Sequence, residues 1–147
     1  MIRNSILKKE NILFPSDFEY SPDYYLFMTI ASKYQIGVDN NFLVKYRIHK
    51  GSLSSEKLDR IYIENKKTLD SILNKNPILH DNYKREIDYA YKKILFYKSI
   101  YKISIENYIE AKKILNQIKF DDIRFFIIYI LVYIQIPKNI LLKIVKK

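Results

Sequence analysis

The sequence predicts a mainly α fold: a short mixed stretch at the start, with two strands and one or two helices, followed by an all-helical extension. Three observations carry this. Gly occurs 2 times and Pro 4 times in 147 residues, too few for the tight turns of a sandwich or barrel. Apolar residues recur at helical spacing from about residue 56 onward. The best strand-like alternation in the chain is at residues 42–48.

The first part, residues 1–55, reads element by element. Residues 2–12 predict a short helix with Ile6 and Leu7 inward, and a loop follows at Phe14, Pro15, Ser16 and Asp17. Ser21, Pro22 and Asp23 form a helix start: an N-cap, a proline at the first helical position and an acid in the first turn. This helix is expected to reach about Tyr34 and to bury Leu26, Phe27 and Ile30. Residues 35–38 predict a short strand. Residues 42–48 predict a better one, with Phe42, Val44, Tyr46 and Ile48 on one side and Leu43, Lys45 and Arg47 on the other.

The second part, residues 56–147, predicts helices throughout. Ser54 and Ser55 are expected to cap a helix from Glu56 to about Leu73, and Pro77 separates it from the next. There Tyr83, Ile87, Tyr91, Ile94 and Tyr101 recur at helical spacing, a core stripe with lysines on the wet back. Ser104 is expected to open a helix to Ile118, and Asp121 and Asp122 to open an apolar one. The stretch from Tyr108 to Leu115 looks like the packing helix of a helical hairpin, with no repeat of fixed period. Pro137 breaks the apolar helix, and residues 140–145 form a last turn or two.

Composition narrows function. Gly37 and Gly51 alone cannot write a Walker loop or a dinucleotide fingerprint. The absence of Cys excludes disulfides, thiolate zinc sites and Cys nucleophiles, and fits a reducing compartment. The net charge is +10. Residues 1–50 hold seven Lys/Arg against five Asp/Glu, residues 51–147 nineteen against eleven, so the basic excess lies mainly in the second part. Such a surface suits nucleic acid, anionic lipid or neither. Because the tyrosines share a face, stacking on nucleic acid is not favoured. The N-terminal stretch has no apolar signal region, and the run from Phe125 to Ile136 is shorter than the roughly 20 residues a membrane span needs.

Two places offer chemistry. Asp23, in a helix first turn, where a helix N-terminus favours a carboxylate, reads either as a general base or as simple helix stabilisation. Arg47, His49 and Lys50 end a strand ahead of Gly51 and Ser52, and read either as phosphate or metal contacts or as a solvated strand end. His80, beside Asp81 and Asn82, reads as a surface loop residue.

The stretch Phe18, Glu19, Tyr20, Ser21, Pro22, Asp23, Tyr24, Tyr25, Leu26 and on to Ala31, then Tyr34 to Gly37, then Leu43 to His49 with Ser52, Leu53 and Ser54, resembles the end of the catalytic domain of family 2 glycosyltransferases, the GT-A fold enzymes of bacterial surface polysaccharide synthesis. The resemblance covers about residues 1–56. It implies an inverting transfer of a sugar from a nucleotide-sugar to a glycan or lipid-linked acceptor, with a divalent metal, Mg or Mn, in the parent family. Asp23 then matches the general base, with Pro22 and Tyr25 standing where the family has acids. Arg47 and His49, with Lys50 beside them, match the block near the donor phosphates and metal. The family's nucleotide-binding half and its Asp-x-Asp metal motif lie upstream of this region and have no counterpart here; Asp121 and Asp122 follow the motifs. The expectation is a fragment, with an upstream-encoded half as partner, inactive alone and needing no cofactor by itself. It would be cytoplasmic, on the inner face of a membrane if the basic tail docks there. The alternative is a non-catalytic basic helical module that binds a partner protein or a membrane surface. In it, Lys138, Lys143, Lys146 and Lys147 beside Ile140, Leu141, Leu142 and Ile144 supply the docking surface.

Overall fold

The computed structural model describes residues 2–41, 43–45 and 57–145. Among these the chain forms eight helices: α1 Asn4–Glu10, α2 Pro22–Ala31, α3 Leu58–Lys75, α4 Ile78–Asn82, α5 Lys84–Ser104, α6 Tyr108–Ile118, α7 Ile123–Tyr133 and α8 Lys138–Val145. The mainly α class holds, but the expected strands are not seen among the described residues. Residues 35–38 are irregular, with Ile36 and Val38 exposed. Of the second strand only residues 43–45 are described, again outside any ladder, with Leu43 and Val44 exposed. A strand is stabilised by a neighbour that takes its backbone hydrogen bonds, and no described segment supplies one.

The helices pack in sequence, α2 on α3, α3 on α5, α5 on α6 and α6 on α7, with α8 returning to α5 and α7. Short turns at 105–107 and 119–122 make consecutive helices antiparallel neighbours. The core sits among α5 to α8: Phe96, Ile100 and Ile103 from α5, Ala111, Leu115 and Ile118 from α6, Phe125, Ile128 and Val132 from α7, and Leu141 from α8. Each trio recurs at three- and four-residue steps, so it forms one stripe per helix. The Phe96 and Phe125 rings stack with centroids 4.5 Å apart. Each of these side chains except Ala111 contributes on the order of 1.5–3 kcal/mol by leaving water.

The tyrosines are not that core. Tyr83 is exposed, and Tyr91 and Tyr101 are half-buried. Tyr91 lies at the seam of α3 and α5, where its hydroxyl donates to Asp70. Burial first, and the Asp70 carboxylate second, push that hydroxyl up to about 12. A phenol tip needs a polar partner, so tyrosine settles at the border of the packing while Ile and Phe fill its centre. On α2, Leu26 and Ile30 are buried as expected, but Phe27 is exposed and Thr29 is buried in its stead. That helix ends at Ala31 rather than Tyr34. Ser104 closes α5 instead of opening α6, whose N-cap is Asn107 accepting from Glu110 N–H. His80 lies in the short helix α4, still exposed. The expected Ser54 and Ser55 cap falls outside the described residues.

Three helix ends share one device. After α1, α5 and α7 the chain turns left-handed at Asn11, Glu106 and Gln135, with φ of 47°, 62° and 61°. In each case two amides reach back to the last turn, as when Asn107 N–H donates to the Lys102 carbonyl and Glu106 N–H to that of Ile103. This is the Schellman pattern, usually built with glycine. Only Asn11 is a residue that tolerates the left-handed region readily.

One buried charge ties the first part to the helical stack. Glu64 of α3 is 4% exposed. Its carboxylate accepts from the backbone N–H groups of Glu19, Tyr20 and Ser21 and from the Ser21 hydroxyl, at 2.8–3.1 Å.

Two outcomes follow from this architecture. Glu64→Ala removes the carboxylate that accepts from three consecutive amides and is expected to destabilise the chain by about 2–4 kcal/mol, read from the denaturant midpoint. Gln135→Gly relieves the left-handed strain and is expected to stabilise by about 0.5–1 kcal/mol, read the same way.

Candidate functional site

Of the residues singled out in the sequence, Asp23 lies where it was expected, in the first turn of α2. It is exposed, and its Oδ1 accepts from the Tyr24 N–H at 2.9 Å. Arg47, His49 and Lys50, the other residues named for that site, fall outside the described residues. Among the described residues no three His, Asp or Glu side chains gather in a way that fits a metal ion. Asp121 and Asp122 are already engaged: Lys92 bridges Asp121 to Asp88, and Arg124 pairs with Asp122.

The most developed surface lies on α7. Phe125, Ile128 and Val132 point inward. Ile123, Phe126, Ile127, Ile130 and Tyr133, with Ile134 just past the end, are exposed. At 100° per residue these six fall within about 120° of the circumference, opposite the buried row. No charged residue interrupts them. Phe120, in the turn before α7, is 84% exposed and continues the patch, its ring stacked on Phe126 at 6.2 Å.

Lysines rim this face. Lys119 Nζ lies 5.0 Å from the Phe120 ring centroid and 4.7 Å from that of Tyr129, and Lys112 Nζ lies 5.4 Å from that of Tyr133. Neither lysine enters an ion pair with a described residue. Their ammonium groups lie over aromatic rings, the cation–π posture of a charge beside an apolar boundary. From residue 119 onward the sequence holds six Lys/Arg against two Asp, and both Asp are paired as above. No described helix is long and apolar enough to cross a membrane.

The face is held by the start of α7. Asp122 caps the helix by accepting from Arg124 N–H, and its other oxygen accepts from the Tyr89 hydroxyl of α5. The Arg124 guanidinium, then Tyr89, hold the Asp122 carboxyl well below the usual carboxylate range against the opposing effect of burial. In return Asp122 pushes the Tyr89 hydroxyl up.

The sequence located the apolar run but not its two-sidedness. The signal was present: Ile123, Phe126, Ile127, Ile130 and Ile134 form a second helical stripe beside that of Phe125, Ile128 and Val132. Of the docking surface expected at the tail, Ile140, Lys143 and Ile144 are exposed, Leu141 is buried and Lys138 pairs with Glu106; Lys146 and Lys147 lie outside the described residues. The chain matches no family model, and no curated protein or solved structure matches it.

The pH response of this anchor has a definite sign. Asp122 has a folded-state pKa below its unfolded value near 3.8. Its contribution is therefore complete above that value and is lost as pH falls through the folded one. Asp122→Asn keeps a capping oxygen without the charge. Its thermal midpoint is expected to fall less steeply than the parent's between about pH 5 and pH 2.

Proposed function

We propose that this chain is a non-catalytic helical module that rests on an anionic membrane surface through α7. The observation that carries the reading is the uninterrupted apolar stripe of six residues with Lys112 and Lys119 at its edge. A half-immersed helix needs an apolar face, a cationic border and too little length to span; α7 has all three. A second copy placed face to face would bring the same lysines to its rim, with no acid on the face to answer them. Lipid phosphate and carboxylate supply that answer.

A second reading concerns origin. The resemblance of residues 18–54 to family 2 glycosyltransferases is favoured by one feature, the exposed Asp23 in the first turn of α2. On that reading the chain belongs beside a nucleotide-binding half that supplies donor and metal, on the cytoplasmic side of a membrane.

Flotation of the full chain with phosphatidylcholine vesicles, with and without phosphatidylserine, tests the docking. Binding is expected only with the anionic lipid and is expected to weaken with salt. The exposed pair Phe126→Ser and Ile130→Ser is expected to lower partitioning by about tenfold or more while leaving stability nearly unchanged. Removing the charge at both Lys112 and Lys119 with Gln is expected to weaken binding by roughly tenfold. Equal flotation of parent and double variant, or equal binding to neutral vesicles, would overturn the reading. So would a dimer that the Phe126 and Ile130 substitutions dissolve.

A further inference from the structure

A cleft of about 410 Å³ opens between the segment that follows α1 and the packed faces of α2 and α3. It shares no lining residue with α7. Its walls are Ile12, Pro15, Ile72 and the exposed Phe14 on the apolar side, and Tyr25, Thr29 and Lys75 on the polar side.

The acids at its edge are spoken for. Glu10 takes Lys33 and the Tyr34 hydroxyl, and Asp17 takes Lys67. Both carboxyls are held low, chiefly by those lysines. Lys75, by contrast, has no carboxylate partner among the described residues. Its ammonium donates to the Tyr25 oxygen at 3.1 Å and lies 5.7 Å from that ring's centroid. Lys75 first, then the Ser71 hydroxyl, lower the pKa of the Tyr25 phenol, which makes its O–H a better donor. Thr29 is 8% exposed and lines the same cleft; its hydroxyl lies toward the Tyr25 phenol, but no hydrogen bond of full geometry satisfies it. A buried hydroxyl without a partner is uncommon in a folded chain.

We propose that this cleft binds a small organic anion. Lys75 and the Tyr25 and Thr29 hydroxyls take its carboxylate or phosphate, and Phe14 and Ile72 take a flat apolar body. The charge balance selects an anion over a cation: both acids are neutralised and one ammonium is not. The size selects an organic molecule over a bare ion, since an ion fills a space near that of one water, about 30 Å³, whereas cleft volumes of roughly 300 Å³ and above suit small-molecule ligands.

The test titrates the full chain with benzoate, phenyl phosphate and inorganic phosphate, by amide shifts and calorimetry. Saturable binding of either aromatic anion is expected, with shifts confined to residues 10–17, 25–33 and 71–76. Inorganic phosphate is expected to bind several-fold more weakly, and comparison of the two aromatic anions tells carboxylate from phosphate. Lys75→Gln is expected to lower affinity about tenfold, and Lys84→Gln, at the start of α5, to leave it unchanged. Thr29→Val keeps the shape and the Lys75–Tyr25 bond, so it is expected to weaken binding several-fold without loss of stability. Benzyl alcohol binding as tightly as benzoate would overturn the proposal, as would shifts scattered over surface lysines, or full affinity in both Lys75→Gln and Thr29→Val.

Discussion

The structure depends on a carboxylate that gathers the chain around itself. Glu64 lies in the middle of α3, and burying its charge without partners would cost far more than the stability of a typical domain. Three consecutive amides and a hydroxyl, from residues 19–21, converge on it instead. Hydrogen bonds to an ionised acceptor are the strong ones, and here they fix a segment rather than a side chain. Those residues lead directly into α2, so the direction in which α2 leaves is set by α3. Everything α2 presents follows from that: Leu26 and Ile30 inward, Tyr25 against Lys75, and Asp23 to solvent. Without the Glu64 bonds the first part would rest on modest apolar contact and on surface pairs such as Lys67 with Asp17, which contribute little in water.

The helical stack has a different logic. α5 is its spine, touching α3, α6 and α8. Its partners arrive through tight reversals made without glycine, at Glu106 and Gln135. The strain at those positions is offset by what the reversal delivers. At the end of α7, Leu131 and Ile136 bracket the turn and both pack against the core. The hydrogen-bonded turn and the apolar clasp across it are the two halves of the Schellman pattern. Glu106 adds an ion pair with Lys138 of α8, linking two reversals.

Much of this was legible where a signal is local. Ser21, Pro22 and Asp23 marked a helix start, Asp122 another, and Pro137 a break, because capping and proline geometry act within a few residues. Ser104 misled for the same reason: a hydroxyl suited to capping instead bonds back to the Tyr101 carbonyl within α5, and Asn107 takes the cap. The strand at residues 35–38 was read from composition, but a strand is a relation between two segments, and no described segment is its partner. Glu64 was invisible in the sequence. Its partners lie 43–45 residues away, and an acid between Ile63 and Asn65 on an amphipathic helix reads as solvated. Asp23 illustrates the limit for function. Its position at a helix start was legible, but catalysis needs neighbours, and those named with it are Arg47, His49 and Lys50, outside the described residues.

The open face of α7 follows from the way the stack grows. Each helix buries one stripe on the helix before it and offers its other side to the next. α6 could afford lysines outward because α7 covers only part of it. α7 has no comparable outer side: both of its stripes are apolar, and α8 is too short to cover the second, bringing Leu141 to the core while Ile140 stays outside. Apolar area of this kind is costly to leave in water. Six apolar positions in one register, with the ammonium groups of Lys112 and Lys119 over neighbouring rings, are the area that the proposed docking would take out of water.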